Sequence, residues 1–259
     1  MSYILQSKSE AQRLDEQSSA KEFSLEEELR GIALRPGARI LDAGCGSGVL
    51  CRYLEENHPT VTVSGCDQSP DSLAHARSHT RKKTSTYFQH DFVGSPLSGT
   101  YDHIFHRYVA HHLSEESISR ALGHFYQALG AGGQITVIDV DGLFINLGTT
   151  SPALLQKVAH LRETFSGNLN VGRIIPGLLA GAGFGNIKWQ IQIMDFQNAG
   201  REEEARQWKE RFESSLPFYV SAFGSELAAK RFFKEYLSEI KKETVPLFYN
   251  KFIVTGEKP

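Results

Sequence analysis

The sequence predicts an α/β fold, a mainly parallel sheet of about seven strands with helices on both faces. Three observations carry this expectation. Short apolar runs alternate with amphipathic helical stretches between residues 36 and 140. Five strands separated by helices or short crossovers within about 100 residues must pair in parallel and be covered on both faces. A glycine cluster, Gly44-Cys45-Gly46-Ser47-Gly48, follows the first strand and opens a helix. The length, 259 residues, suits one such domain built around its own core, without metal or disulfide support.

The elements follow in order. Residues 1–34 are polar and helix-prone, and Leu25, Leu29 and Ile32 share a face, so this arm is expected to pack one face onto the body. Pro36-Gly37 punctuates the chain. Arg39–Ala43 reads as a buried strand, Val49–Glu56 as a helix and Val61–Cys66 as the second strand. Ser69 caps a helix with Pro70 at its first position and Asp71 in its first turn, running to about His79. Thr86–His90 and Tyr101–His106 are the third and fourth strands. Ser114 caps a helix in which Ile118, Leu122, Phe125 and Leu129 recur at helical spacing. Gly130–Gly133 ends that helix before a fifth strand, Gln134–Val140. A helix near 152–165, another at Ile174–Gly183 and a strand at Asn186–Phe196 come next. Residues 200–243 are strongly helical, and Val245–Gly256 closes the chain as a strand. The last two strands flank the helical insertion and are expected to pair as a widely separated hairpin at the sheet edge. The expected organisation is one domain over 1–259. It comprises a lid (1–34), a cofactor-binding core (36–140), cap insertions (141–172 and 197–244) and a C-terminal strand (245–257).

Composition narrows the function. Lys+Arg is 28 and Asp+Glu is 30, a formal charge of −2. That balance argues against a broad basic surface for nucleic acid. No stretch approaches the 18 apolar residues of a membrane span. The N-terminal MSYILQSKSEAQRLDEQ has no apolar run and is not a signal peptide. Cys45, Cys51 and Cys66 are too few and too clustered for a secreted disulfide scaffold. The expected compartment is the cytoplasm, and the expected partner a small molecule.

The glycine loop points to a ligand at a strand-to-helix turn, where glycine allows a sharp bend and close backbone approach. Two ligands fit such a turn, a dinucleotide or S-adenosylmethionine. A dinucleotide loop spaces its glycines G-x-G-x-x-G. Here the pattern is Gly44-x-Gly46-x-Gly48, and Val49 stands where the third dinucleotide glycine belongs. Asp42, just before the loop, would repel a pyrophosphate but suits an ammonium and a sulfonium. Asp67 ends the second strand, placed to accept from two ribose hydroxyls. Asp91 follows the third strand, where its carboxylate can accept an adenine amino proton and Phe92 can pack on the ring.

ILDAGCGSG, the acid of GCDQSP, the HDF step, YDHIFHRYVAHHL and LGAGGQITVID together resemble the successive motifs of class I S-adenosylmethionine-dependent methyltransferases. The variant resembles the ubiquinone/menaquinone-biosynthesis type and related small-molecule enzymes. The resemblance covers roughly 36–140, with weaker similarity in IIPGLLAGAGFGNIKW. It implies a Rossmann-like fold and S-adenosylmethionine as cofactor. It implies that Gly44, Cys45 and Gly46 hold the methionine part, Asp67 and Gln68 the ribose, and Asp91 and Phe92 the adenine. Arg107 would offer backbone near the methionine. YILQSKSEAQRLDEQ looks like a lid from which Tyr3, Arg13 and Gln17 reach the cofactor, Arg13 pairing its carboxylate. LGAGG replaces the commoner Leu-Lys-Pro-Gly-Gly. No Asn-Pro-Pro-Tyr follows the fourth strand, which sets amino-directed base methylation aside.

Four histidines lie close together: His103, His106, His111 and His112. His103 and His106 differ by an odd number on a strand and face opposite ways, so they do not make a metal site. His111 or His112 stands at the strand-four end as a general base beside the methyl group, or caps the helix and lines the pocket. Trp208, Phe212, Phe218, Tyr219, Phe223, Phe232, Phe233 and Tyr236 form an aromatic stripe. It reads as helical core or as a cap over a largely apolar or aromatic acceptor. The expected function is methyl transfer to a small molecule; the alternatives are a non-catalytic cofactor-binding protein and a nicotinamide-dependent oxidoreductase.

Overall fold

A computed structural model describes residues 24–80, 85–195 and 200–259. Seven strands lie in one sheet in the order β3-β2-β1-β4-β5-β7-β6. They are β1 Arg39–Ala43, β2 Thr62–Asp67, β3 Thr86–Gln89, β4 Tyr101–Arg107, β5 Leu129–Asp141, β6 Gly185–Asp195 and β7 Phe248–Glu257. β1 to β5 pair in parallel, and β7 runs antiparallel between β5 and β6. The expected edge hairpin therefore forms, in register from Gly185 opposite Glu257 to Asp195 opposite Phe248. Strand order reverses between β1 and β4, which opens a crevice beyond their carboxyl ends.

The helices in chain order are α1 Leu25–Glu28, α2 Val49–Asn57, α3 Pro70–His79, α4 Glu115–Ala128 and α5 Pro152–Thr164. α6 Ile175–Gly181, α7 Arg201–Ser214, α8 Leu216–Phe223 and α9 Glu226–Ile240 complete them. Ser69 and Ser114 accept from the amides three residues on, so both predicted caps form. The fully buried Ile40, Leu54, Phe105 and Ile138 pack with α1 to α3 on one face. Ile104, Leu122, Phe125 and Val254 pack with α4 and α6 on the other. A third core, with Phe144, Trp208, Phe232 and Tyr236, sits among α5, α7, α8 and α9. The aromatic stripe is thus mostly the interior of a helical cap. Phe212 stacks on Phe233 at 4.0 Å and Phe144 on Tyr236 at 4.4 Å.

One boundary differs from expectation. Gly130–Gly133 does not simply end α4 but enters β5, which already pairs at Leu129 with Tyr101. A register shift between Tyr101 and His103 takes up the extra residues, and Gly132 adopts φ +70°. A glycine bulge, not a helix stop, carries the chain back into the sheet.

Candidate active site

The glycine loop is shaped by close packing. Gly44 and Gly48 have φ of +84° and +79°. A Cβ on Gly44 would lie 2.5 Å from Val109 Cγ2, and one on Gly48 2.9 Å from the Ala76 Cβ. The amides of Gly44 and Cys45 both donate to the Cys66 carbonyl, at 2.8 and 2.9 Å. Loop and β2 end are thereby one rigid unit. Gly46 N–H donates to Asp67 Oδ2 and Ser69 N–H to Asp67 Oδ1, both at 2.9 Å. The Gln68 amide also bonds this carboxylate, which thus accepts three backbone N–H groups and keeps acceptor capacity for one further donor. Burial raises the Asp67 pKa, and those amides partly offset it. Gln68 lies exposed beside it, its carbonyl accepting from Gln89 Nε2 at 3.0 Å.

The cysteines are buried and free. Burial pushes Cys66 up to about 12 and Cys45 and Cys51 well above the usual thiol value. They are packing groups rather than thiolates.

Asp91 Oδ1 accepts from the amides of Val93 and Gly94, at 3.0 and 3.1 Å, and shapes the turn after β3. Phe92 departs from expectation. Its ring is buried, 5.3 Å from both Phe125 and His106 by ring centroid. The apolar α4 face competes for that ring and wins, and the Phe92 carbonyl is held on the same side, 2.8 Å from His124 Nδ1.

A buried charge network joins the loop to α1. Glu28 is fully buried on α1. Its Oε2 accepts from Arg107 Nε at 2.6 Å; its Oε1 accepts from Tyr108 Oη at 2.7 Å and Lys251 Nζ at 2.8 Å. Burial alone would raise Glu28, but Arg107 and Lys251 outweigh it and hold its pKa low. Asp42, also buried, is pushed up to about 7 by burial despite the Arg107 charge. Tyr108, with φ +55°, turns the chain out of β4. The Arg107 side chain thus serves this network at the end of β4, beside the loop.

The histidines separate into three roles. His103 Nε2 lies 2.8 Å from Thr136 Oγ1, and burial holds its pKa down to about 4. His106 Nδ1 lies 2.8 Å from the Ala43 carbonyl, so Nδ1–H donates; burial keeps this ring neutral. His111 stands on a 3-10 turn, Ala110–His112, directly after β4. Its Nδ1 donates to Asp139 Oδ1 at 2.7 Å. Asp139 is held in turn by the amides of His111 (3.2 Å) and Val140 (2.8 Å). No described residue bonds His111 Nε2, whose lone pair is left for a ligand. The His112 ring packs 3.9 Å from it. The cap touches this turn: Asn168 N–H donates to the His111 carbonyl at 2.9 Å, and a Cβ on Gly167 would lie 2.0 Å from that oxygen.

Sequence reading missed Asp139, Glu28 and Lys251. A carboxylate at the carboxyl end of an otherwise apolar strand was a signal for Asp139. Glu28 and Lys251 carry none, because only the fold brings them to Arg107. Tyr3, Arg13 and Gln17 lie outside the described residues.

Residues 40–133 match the methyltransferase-domain family. Malonyl-[acyl-carrier protein] O-methyltransferase of Pectobacterium atrosepticum is 28% identical over 150 residues, 57% of this chain and 53% of the relative. Demethylmenaquinone methyltransferase of Thermus thermophilus is 29% identical over 146 residues, 53% of this chain and 64% of the relative. This chain thus spans about half to two thirds of those relatives. The solved structure of Haemonchus contortus phosphoethanolamine N-methyltransferase 2 with S-adenosyl-L-methionine superposes with TM-score 0.59 at 18% identity, over 98% of this chain and 57% of that one. The family match covers the glycine loop and the strand-end acids, and the fold is that of class I methyltransferases. The glycine cradle and the remaining acceptor site of Asp67 fit S-adenosylmethionine. No described helix is long and apolar enough to cross a membrane.

Proposed function

We propose that this chain transfers a methyl group to a small, largely apolar or aromatic acceptor that loses a proton in the reaction. S-adenosylmethionine supplies an electrophilic methyl on a sulfonium. The protein's part is to bind, align and exclude water. In this reading Gly44, Cys45 and Gly46 hold the methionine portion and Arg107 borders it. Asp67 and Gln68 take the ribose hydroxyls, and Asp91 takes the adenine edge. His111 Nε2 accepts the acceptor's proton as the new bond to the methyl carbon forms and the sulfur–methyl bond breaks. Asp139 fixes the tautomer and orientation that make Nε2 the base. His112 lines the same turn. The α5, α7, α8 and α9 cap closes over the acceptor.

The observation that carries the reading is the His111–Asp139 pair, bonded through Nδ1 only and set beside the glycine loop across β4. The first test is thermal stabilisation by S-adenosylhomocysteine and by NADH. At 100 times its dissociation constant a ligand adds about 2.7 kcal/mol. Stabilisation by S-adenosylhomocysteine that Asp67→Ala weakens is expected. A shift with NADH and none with S-adenosylhomocysteine would overturn the reading. Single-turnover assays over an acceptor panel then test the base.

A further inference from the structure

The sheet has two very different edges. β3 at one end is four residues long. β6 at the other spans eleven residues, and no described strand pairs with its outer side. Natural sheets blunt such edges with charge, proline or brevity. Between its ends β6 carries one charge, Lys188, next to a register shift after Gly185, and no proline. Its odd positions are apolar: Ile187, Trp189, Ile191 and Ile193. Trp189, Ile191 and Ile193 are 59%, 51% and 72% exposed. Of the six large apolar side chains exposed among the described residues, these three and Phe248 lie at this edge. A groove of about 450 Å³ at the end of the row is lined by Ile193, Pro246, Leu247 and Phe248 together with four polar or charged side chains, Asp195 and Arg201 among them.

We propose that β6 pairs antiparallel with β6 of a second copy of this chain, joining two sheets across a two-fold axis at Ile191. A two-fold interface must be self-complementary, and this strand is. Antiparallel pairing centred on Ile191 keeps odd residues opposite odd residues, so the apolar rows of both copies share one face. Trp189 then lies opposite Ile193 of the second copy, next to that copy's groove. Phe248 shares this face, since it pairs with Asp195. Each copy therefore offers one large aromatic side chain and one groove of mixed apolar and polar lining. Lys188, Gln190 and Gln192 fall on the other face, where Gln192 Nε2 donates to the Glu27 carbonyl at 3.3 Å. Two such apolar rows plus two strand edges remove on the order of 1,000 Å² from water, the lower bound of a specific interface. The four inter-strand spacings from β6 to β1 set the glycine loop about 19 Å from this edge, so pairing leaves the site open.

Sedimentation velocity between about 5 and 100 μM tests the proposal, with concentrations set for a micromolar dimer. Wild type is expected to sediment as a dimer. Ile191→Lys places two like charges across the axis and is expected to give a monomer. The S-adenosylhomocysteine thermal shift of that variant is expected to match wild type, which certifies its fold. Ile191→Cys gives an independent reading. A residue on the axis lies within disulfide reach of its own copy, and the native thiols are all buried. Air oxidation should cross-link this variant, and Leu227→Cys, on exposed α9, should stay uncross-linked. A wild type that is monomeric at 100 μM, or a dimer that survives Ile191→Lys without the Ile191→Cys cross-link, would overturn the proposal.

Discussion

Asp42 is 2% exposed at the end of β1, with Arg107, Cys51 and Asp67 as its charged or polar neighbours. Its folded pKa of about 7 exceeds the 3.8 of a free carboxyl. The folded state therefore holds a proton that the unfolded state has lost. This contribution to stability is full below about pH 4 and is lost as pH rises through about 7. Chemical denaturation across that window should show Asp42→Asn missing a downward slope of at most about 1.4 kcal/mol per pH unit. In the proposed reaction, two residues at the other end of the site set the rate instead. Asp139→Asn leaves His111 Nδ1–H without its carboxylate, and His111→Ala removes the base. Each is expected to lower the single-turnover rate by about 10² to 10⁴ while leaving S-adenosylhomocysteine affinity unchanged. A full rate in both variants would remove His111 from the chemistry. Residues of this kind differ in how far sequence exposes them. Asp67 and Asp91 stand where the chain leaves a strand, and spacing alone marks them. Asp139 belongs to β5, far from His111 in sequence, and becomes its partner only through the parallel pairing of β4 with β5.

Among the elements, the 3-10 turn Ala110–His112 is fastened from two sides. Ser114, two residues on, caps α4, and Ser114→Ala should cost about 1 kcal/mol in denaturant melts. On the other side the 165–170 loop rests on the His111 carbonyl. Gly167 is there for space rather than for dihedral freedom, since its Cβ would meet backbone oxygen. Gly167→Ala must push the His111 turn aside. A misplacement near 1 Å costs about 100-fold in rate, so acceptor turnover is expected to fall by that order with the cofactor's thermal shift preserved. Equal losses of both would place the strain in the cofactor loop instead. Helix caps and strand cores were legible because they depend on residues within a few positions. The glycine bulge before β5 was not, because local glycine chemistry suits a helix stop equally well.

Across the whole molecule, Glu28 ties the N-terminal helix to β4 and β7, three elements distant in the chain. Two cations and a phenol share its carboxylate, so Glu28→Gln strands buried positive charge. Losses of about 3–5 kcal/mol follow from breaking a buried pair, or roughly 10 °C in melting temperature for a chain of this size. Lys251→Met in the same background should recover part of that loss, because it removes one stranded cation. No recovery would show that the network contributes little. The second extended feature, the β6 edge, is visible in sequence only as alternation. Alternation says that one side of a strand is apolar, not whether a helix covers it.

The sequence by itself determined the α/β class, the parallel core, the glycine loop and the strand-end acids. Each follows from short-range regularities: periodicity, caps, turn chemistry and motif spacing. Tertiary structure alone decided which side chains those elements bring together. It turned Phe92 into the core, gave His111 its carboxylate, enclosed Glu28 between two cations and left Trp189, Ile191 and Ile193 uncovered. Those outcomes depend on competition for buried volume and on charge pairing across sequence separations of 28 to over 200 residues. Such distances carry no local signal, because the free energy that selects them exists only once the layers have packed.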